Sequence, residues 1–224
     1  MTIFTRPHVL FDLDGTLVDT RAAVLECYTR VFRERLNSDF PPDAVPKGEL
    51  FAMRPAEIFS LVAPDRKDEL YAAYSATYPD CIDHIAVFPG AARLIEMLVA
   101  AGRKPGLVTN KGLERTLIDL DHAGIPTASF STIVTAEDTR ERKPHPAPIL
   151  LGLERAGARP EEAVYVGDGP QDVIAAHAAG LPCIGLTYGF YKADDLTPHE
   201  PEVLAGDVAA LARALGVDLA EPVA

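Results

Sequence analysis

Two aspartates separated by one residue form the motif of this sequence with the clearest chemical potential. Residues 12–17 read DLDGTL and directly follow the apolar run 8–11 (HVLF). Side chains two positions apart in an extended chain point to the same side, so Asp12 and Asp14 can act on one group. Aspartate is also common in turns, and a turn role is the structural alternative for either residue.

A hydroxyl, an amide and a lysine follow in two later motifs. Thr109 and Asn110 come at the end of a second apolar run, where they can donate hydrogen bonds to an anionic oxygen. Lys143 precedes Pro144, and the residue before a proline is held in an extended conformation. The alternatives are a helix N-cap for the first pair and an exposed loop position for the lysine.

The last polar motif, residues 167–172 (GDGPQD), adds two more carboxylates. Asp168 follows the apolar run 163–166, and Asp172 comes one helical turn later. An acidic helix start, which the helix dipole favours, is the structural alternative here.

Short apolar runs alternate with helical patterns and supply the elements that must position these residues. The runs lack the in–out alternation of half-exposed strands, which indicates strands buried on both faces. They lie at residues 8–11, 106–108, 132–134, 163–166 and 183–186. Helical patterns lie at residues 91–101, 113–123, 147–156, 171–179 and 208–215, and each ends next to a glycine. This alternation predicts an α/β fold, with a Rossmann-like parallel sheet and helices on both of its faces.

One long segment interrupts the alternation. No strand-like run appears between the first strand and about residue 87, whereas a strand-to-helix connection usually has about 2–6 residues. Apolar side chains recur there at helical spacing in three stripes. We therefore predict an all-helical cap over residues 20–85, inserted into a core formed by residues 1–19 and 86–224. Because the insertion leaves the carboxyl end of a strand, we expect a lid over a ligand site.

Composition excludes several classes of protein. The 224 residues carry 21 basic and 33 acidic side chains, a net charge of −12. A nucleic-acid binder needs a basic face, so no nucleic-acid partner is expected. No apolar stretch approaches the roughly 18 residues of a membrane span, and polar residues interrupt any signal-peptide pattern. With only three scattered cysteines, the sequence predicts a cytoplasmic protein without a disulfide framework or a membrane partner.

All four polar motifs fall at the carboxyl ends of predicted parallel strands, so their side chains should meet in one crevice. Four carboxylates there would repel one another and raise each other's pKa values. A divalent cation resolves this conflict, and all-oxygen ligands from few protein donors favour Mg²⁺. With Lys143 as a second positive centre, the site should accept a dianionic phosphate despite the negative net charge.

In this order the motifs resemble the haloacid dehalogenase superfamily: DxDGT, a threonine after a strand, a distant Lys-Pro and GDxxxD. The resemblance covers nearly the whole chain, and the insertion is similar to that superfamily's helical cap of the first type. Residues 187–190 (TYGF) also look like the tail of its phosphoglycolate phosphatase branch.

The resemblance implies roles for the residues that act on the substrate. Asp12 would be the nucleophile that forms an aspartyl-phosphate. Asp14 would protonate the leaving oxygen and then take a proton from the attacking water. Thr109, Asn110 and Lys143 would hold the phosphoryl oxygens.

The resemblance also implies a magnesium site. Asp12, the main-chain carbonyl of Asp14, and Asp168 would hold Mg²⁺. Asp172 would contact the water molecules around Mg²⁺, or Lys143, rather than the ion itself. Thr16 would order the loop that binds the substrate.

Three functions follow from these observations. Asp14 argues for phosphate chemistry, because the dehalogenase and phosphonate-cleaving branches lack a carboxylate at its position. The resemblance therefore implies a Mg²⁺-dependent phosphatase, a phosphoric monoester hydrolase for phosphoglycolate-like substrates. The alternative is a phosphosugar mutase of the β-phosphoglucomutase type, which returns the phosphoryl group to another hydroxyl. A binding protein without catalysis is the third reading, and the complete set of motif carboxylates argues against it.

Substrate choice is expected to depend on the insertion. Arg54 is near where relatives with this cap present a substrate-facing loop, and it can pair with a carboxylate or a second phosphate. A solvated arginine before a helix is the alternative. We expect a monomer or a homodimer whose partner, besides Mg²⁺, is a small phosphorylated metabolite.

Overall fold

The computed structural model describes residues 4–41, 45, 50–51 and 53–219, and a parallel β-sheet dominates it. In chain order the strands are β1 (His8–Phe11), β2 (Val18–Asp19), β3 (Ala86–Val87), β4 (Lys104–Val108), β5 (Ile133–Val134), β6 (Ala163–Gly167), β7 (Cys183–Leu186) and β8 (Val203–Ala205). Six of them form one sheet in the order β5–β4–β1–β6–β7–β8, with every neighbouring pair parallel. β2 and β3 pair separately as a two-stranded sheet.

Strand β1 lies in the middle of the large sheet, between β4 and β6. Phe11, its last residue, is in register with Leu107 of β4 and Val166 of β6. The residues that follow these three strands therefore lie side by side at one edge of the sheet. This register is what brings the separate polar motifs of the sequence together.

Helices cover both faces of this sheet, as the sequence predicts. In chain order the helices are α1 (Arg21–Val31), α2 (Pro55–Val62), α3 (Lys67–Thr77), α4 (Ala91–Ala100), α5 (Leu113–His122), α6 (Ala147–Ala156), α7 (Pro170–Ala178), α8 (Ala193–Leu196) and α9 (Val208–Ala214). Helices α6 and α7 pack on one face through a buried cluster that includes Leu10, Tyr165 and Val173. Helix α4 packs on β4 and against α9. In the described part of the chain, no helix is long and apolar enough to cross a membrane.

The predicted runs and helical patterns of the α/β part are confirmed. The five runs form β1, β4, β5, β6 and β7, and the five helical patterns form α4, α5, α6, α7 and α9. The glycine that follows each of these helices has a positive φ angle, as a helix-ending glycine should. Strand β8 and the short helix α8 were not predicted. In β8 the side chain of Leu204 is exposed, so its three residues do not form a buried apolar run.

The chain divides into two compact units. Met1–Asp19 and Val87–Ala224 form one, which we call the core unit, and Thr20–Ala86 form the other, the inserted unit. The inserted unit contains α1, α2 and α3 and has a buried aromatic centre of its own. In it the Tyr28 ring packs on the rings of Phe59 and Tyr74, with centroids 5.7 and 4.6 Å away.

Candidate active site at the carboxyl edge of the sheet

Asp12 is the first residue after β1, and main-chain and side-chain contacts fix it. Its N–H donates to the carbonyl of Val166 at 2.9 Å, which continues the pairing of β1 with β6. The side chain is almost entirely buried. Its Oδ1 atom lies 2.9 Å from the Lys143 Nζ atom, which arrives from the loop between β5 and α6. Two distant segments thus present opposite charges to each other at this edge.

The Lys143 ammonium group is fully buried and surrounded by oxygen atoms. Nζ donates to the carbonyl of Val108 at 3.0 Å, the hydroxyl of Tyr165 at 2.8 Å and Oδ1 of Asp172 at 2.7 Å. Together with Asp12, these partners hold the ammonium group in one position. Such a group offers a fixed positive charge rather than a mobile surface one.

Three buried aspartates form the centre of the site, and we call them the aspartate cluster: Asp12, Asp168 and Asp172. Each offers one carboxylate oxygen, and the three atoms lie within 4.8 Å of one another, the only such group among the described residues. Asp168 and Asp172 are both fully buried. Hard carboxylate oxygens at this spacing fit a divalent cation such as Mg²⁺. The cluster is therefore a candidate metal site.

Burial and neighbouring charges shift the pKa values of Asp12, Asp168 and Lys143. Burial raises the pKa of Asp12 to about 7, although the nearby Lys143 charge works in the opposite direction. Burial and the neighbouring Asp172 and Asp12 charges raise the pKa of Asp168 well above its ordinary value. Burial alone would lower the pKa of Lys143, but the charges of Asp12 and Asp172 raise it overall. Negative charge therefore accumulates here at a free-energy cost, which a bound cation would reduce.

Thr109 and Asn110 follow β4 and lie beside the lysine. The Thr109 hydroxyl is buried and accepts a hydrogen bond from the N–H of Lys111 at 3.1 Å. The Asn110 amide contacts the main chain of Lys143 twice. Its Nδ2 atom donates to the carbonyl at 3.1 Å, and its Oδ1 atom accepts from the N–H at 3.0 Å. In this structure Asn110 therefore joins the second motif to the third.

Asp14 lies on the more accessible side of the site, with 22% of its side chain exposed. Its Oδ1 atom accepts a hydrogen bond from Lys111 Nζ at 2.9 Å. Lys111 also forms an ion pair with Asp119, which is fully buried on α5. Sequence reasoning missed these two partners. A signal was present, because Asp119 shares the buried face of α5 with Thr116 and Leu120, where an acidic residue is unusual.

The loop after β7 closes against the aspartate cluster and was also missed as a part of the site. The N–H of Phe190 donates to Oδ2 of Asp168 at 2.6 Å. A Cβ atom at Gly189 would collide with the Gly15 carbonyl oxygen and with the Asp168 carboxylate, so only glycine fits there. Gly15 itself has a φ of 77° and equally has no room for a side chain. Both glycines bring main chain close to Asp168.

The other two predicted substrate-binding residues are Thr16, in the core unit, and Arg54, in the inserted unit. Thr16 is completely buried, and its carbonyl accepts a hydrogen bond from the Tyr188 hydroxyl at 3.1 Å. This contact fits a part in ordering the loop. Arg54 belongs to the inserted unit and precedes α2, where its N–H donates to the Glu57 carboxylate at 2.7 Å. A role for Arg54 in substrate binding stays a prediction.

Comparison with known proteins identifies the family to which this chain belongs. A family model described as haloacid dehalogenase-like hydrolase matches residues 9–186. The chain belongs to this family, and the prediction of a hydrolase of that superfamily is confirmed.

Curated relatives match nearly the full length of the chain. The pyrophosphatase PpaX of Bacillus velezensis is 32% identical over 212 residues, covering 93% of this chain and 96% of the relative. A phosphoglycolate phosphatase of Yersinia pestis is 33% identical over 220 residues, 93% of each chain. Among solved structures, CbbY from Rhodobacter sphaeroides in complex with phosphate is 26% identical, with a TM-score of 0.83. That match covers 95% of this chain and all of the other.

Proposed function

We propose that the protein is a magnesium-dependent phosphatase that hydrolyses a small phosphorylated metabolite through an aspartyl-phosphate on Asp12. The observation that carries this proposal is the position of Asp12. Its buried carboxylate contacts a fixed ammonium group, Lys143, and lies beside the other two carboxylates of the aspartate cluster. A nucleophile, a positive charge and a set of metal ligands are the parts that phosphoryl transfer requires.

The proposed reaction uses two carboxylates, Asp12 and Asp14, that lie in different environments. An Asp12 oxygen attacks phosphorus, the bond from phosphorus to the leaving oxygen breaks, and Asp14 gives that oxygen a proton. Asp14 then takes a proton from a water molecule whose oxygen attacks the same phosphorus, which releases inorganic phosphate and restores Asp12. Asp14 suits the proton transfers because it is partly exposed, whereas Asp12 is buried beside Lys143.

The aspartate cluster would hold Mg²⁺ through Asp12 and Asp168, together with the main-chain carbonyl of Asp14. When bound, the cation neutralises charge that develops on the phosphoryl oxygens. Asp172 has a supporting position, because its Oδ1 atom contacts Lys143 and its Oδ2 atom accepts from the N–H of Gly169 at 3.0 Å. The raised pKa values of Asp12 and Asp168 support a cation site, since a cation favours their ionised forms.

The other predicted site residues would act on the phosphoryl group or on its surroundings. Lys143 neutralises the phosphoryl charge, and Thr109 contributes a hydroxyl at the same edge. Asn110 takes part in phosphoryl binding and also fixes Lys143 through its two main-chain hydrogen bonds. Thr16 orders the loop, and Arg54 pairs with a second anionic group of the substrate.

Phosphoglycolate-like compounds are the first substrate candidates. A relative covering nearly the whole chain is named phosphoglycolate phosphatase, at 33% identity. Inorganic pyrophosphate is the second candidate, because the relatives named pyrophosphatase PpaX match just as fully, at 32% identity in one case. Both compounds carry a second anionic group beside the phosphoryl group, which a cationic partner such as Arg54 would recognise.

A substrate panel tests the proposal. It contains 2-phosphoglycolate, pyrophosphate, p-nitrophenyl phosphate and β-glucose 1-phosphate with a bisphosphate primer, each with Mg²⁺ and after EDTA treatment. We expect phosphate release from at least one substrate, loss with EDTA and recovery with Mg²⁺. Asp12→Asn should be inactive. The control Asp138→Asn, which breaks an ion pair with Arg155 outside the site, should remain active.

Four outcomes would contradict the proposal. Wild-type turnover by Asp12→Asn would exclude Asp12 as the nucleophile, and turnover without metal would exclude the magnesium site. Formation of glucose 6-phosphate without free phosphate would favour the mutase alternative. A complete lack of turnover over a broad panel would favour a binding protein.

A cytoplasmic location and a monomeric or homodimeric state are further parts of the proposal. Cell fractionation would test the location, and light scattering would test the oligomeric state.

A further inference from the structure

Lys111 connects the site to the interior of the core unit. Its Nζ atom donates to Oδ1 of Asp14 at 2.9 Å and pairs with the buried carboxylate of Asp119. Its main chain is fixed on both sides, because the N–H donates to the Thr109 hydroxyl at 3.1 Å and the carbonyl accepts from the N–H of Ala136 at 2.9 Å. Only 6% of the lysine side chain is exposed. The ammonium group therefore has a defined position.

Stability does not explain this arrangement well. Removing a carboxylate and an ammonium group from water costs free energy that their attraction often fails to return, so a buried ion pair is a weak stabilising device. What Asp119 does provide is a fixed location for the lysine Nζ. That location matters because Asp14, at the other end, is only partly buried and lies outside the strands, directly before the turn at Gly15.

We propose that Lys111, anchored by Asp119, is a positioning residue that holds the Asp14 carboxylate for proton transfer. The inference rests on the proposed function, in which Asp14 protonates the leaving oxygen. Lys111 holds the Oδ1 atom, which fixes the rotation of the carboxylate, and the proton is exchanged at Oδ2. Lys111 itself neither gives nor takes a proton. Proton transfer needs heavy atoms within hydrogen-bond distance, so a carboxylate that rotates freely loses most of its effect.

The choice of leaving group separates this role from a structural one. The alkoxide that leaves 2-phosphoglycolate is strongly basic and needs a proton, whereas p-nitrophenolate leaves readily without one. The ratio kcat/KM reports the steps up to the first irreversible one, which includes the departure of the leaving group. A misplaced Asp14 should therefore reduce kcat/KM for the alkyl phosphate and spare the aryl phosphate. General damage to the fold would reduce both alike.

The test compares variants with both substrates in the presence of Mg²⁺. Lys111→Met should lower kcat/KM for 2-phosphoglycolate about 100-fold and that for p-nitrophenyl phosphate less than about fivefold. Lys111→Arg should recover part of the loss. Lys111→Met leaves Asp119 buried without its cation, so the double variant Lys111→Met/Asp119→Asn is measured too. It removes both charges together, and we expect it to fold and to show the same selective loss.

Arg155→Met serves as the matched control, because it breaks an exposed ion pair with Asp138 outside the site. Neither substrate should be affected by it. If the folded double variant loses activity equally with both substrates, or loses none, the inference is wrong and the proposed function stands. If the wild-type enzyme hydrolyses neither substrate nor pyrophosphate, the proposed function fails and the inference with it.

Discussion

Neutralising Asp12 should stabilise the metal-free protein, and the gain should depend on pH. Burial raises the pKa of Asp12 from the ordinary 3.8 to about 7, which corresponds to about 4 kcal/mol between its charged and neutral forms. The folded state keeps a proton that the unfolded chain releases, so wild-type stability falls as the pH rises through this window. Asp12→Asn removes that dependence. As the pH rises from the ordinary to the raised pKa of Asp12, the variant's advantage in free energy of unfolding over the wild type should grow by about 1.4 kcal/mol per pH unit. Above pH 7 this difference should level off at about 4 kcal/mol.

Urea unfolding in EDTA, followed by circular dichroism at about pH 5 and about pH 8, measures this difference. Asp138→Asn is the control with the opposite sign. Burial works against ionisation there too, but hydrogen bonds from Arg155 and Thr135 lower the pKa of Asp138 overall. Its ionised form is therefore stabilised in the folded state at every pH above the ordinary pKa of 3.8, so the variant should lose stability about equally at both pH values. A pH-independent difference for Asp12→Asn, or a less stable variant at about pH 8, would refute the reasoning about the buried carboxylate.

Three further substitutions test how the site is built. Lys143→Met removes the cation beside Asp12 and Asp172, so the free energy of unfolding at about pH 8 should fall by about 3 kcal/mol or more in urea, with activity lost. Gly189→Ala forces a Cβ onto Asp168 and should cost about 1–3 kcal/mol in thermal unfolding and weaken Mg²⁺ binding in calorimetric titration. Asn110→Ala should lower kcat at least about tenfold, because the amide positions Lys143, and should also raise KM through its part in phosphoryl binding. A rise in KM alone would show that Asn110 does not position Lys143.

The sequence predicts the main parts of the site because a parallel sheet turns strand ends into neighbours. Asp12 and Asp168 each follow a buried apolar run, and the register of β1 with β6 places the two runs side by side. The Lys111–Asp119 pair was not predicted, because the contact joins a loop to a helix face and depends on packing. Strand β8 was missed as well, because it has only three residues at the edge of the sheet and its central Leu204 is exposed rather than buried. Local patterns identify elements, whereas contacts between them require the fold.

Charge at the site makes phosphate binding depend on the cation. When the three carboxylates of the aspartate cluster are ionised and Lys143 is protonated, these four groups together have a formal charge of −2. A phosphate dianion would then be repelled at short range. Adding Mg²⁺ brings this sum to zero and allows the dianion to contact Lys143. We therefore expect inorganic phosphate to raise the thermal unfolding midpoint only when Mg²⁺ is present, by an amount that grows with the phosphate concentration. The Asp168→Asn variant should lose most of this coupling. An equal effect of phosphate in EDTA and in Mg²⁺ would show that Lys143 alone provides the anion site, and that the aspartate cluster has another purpose.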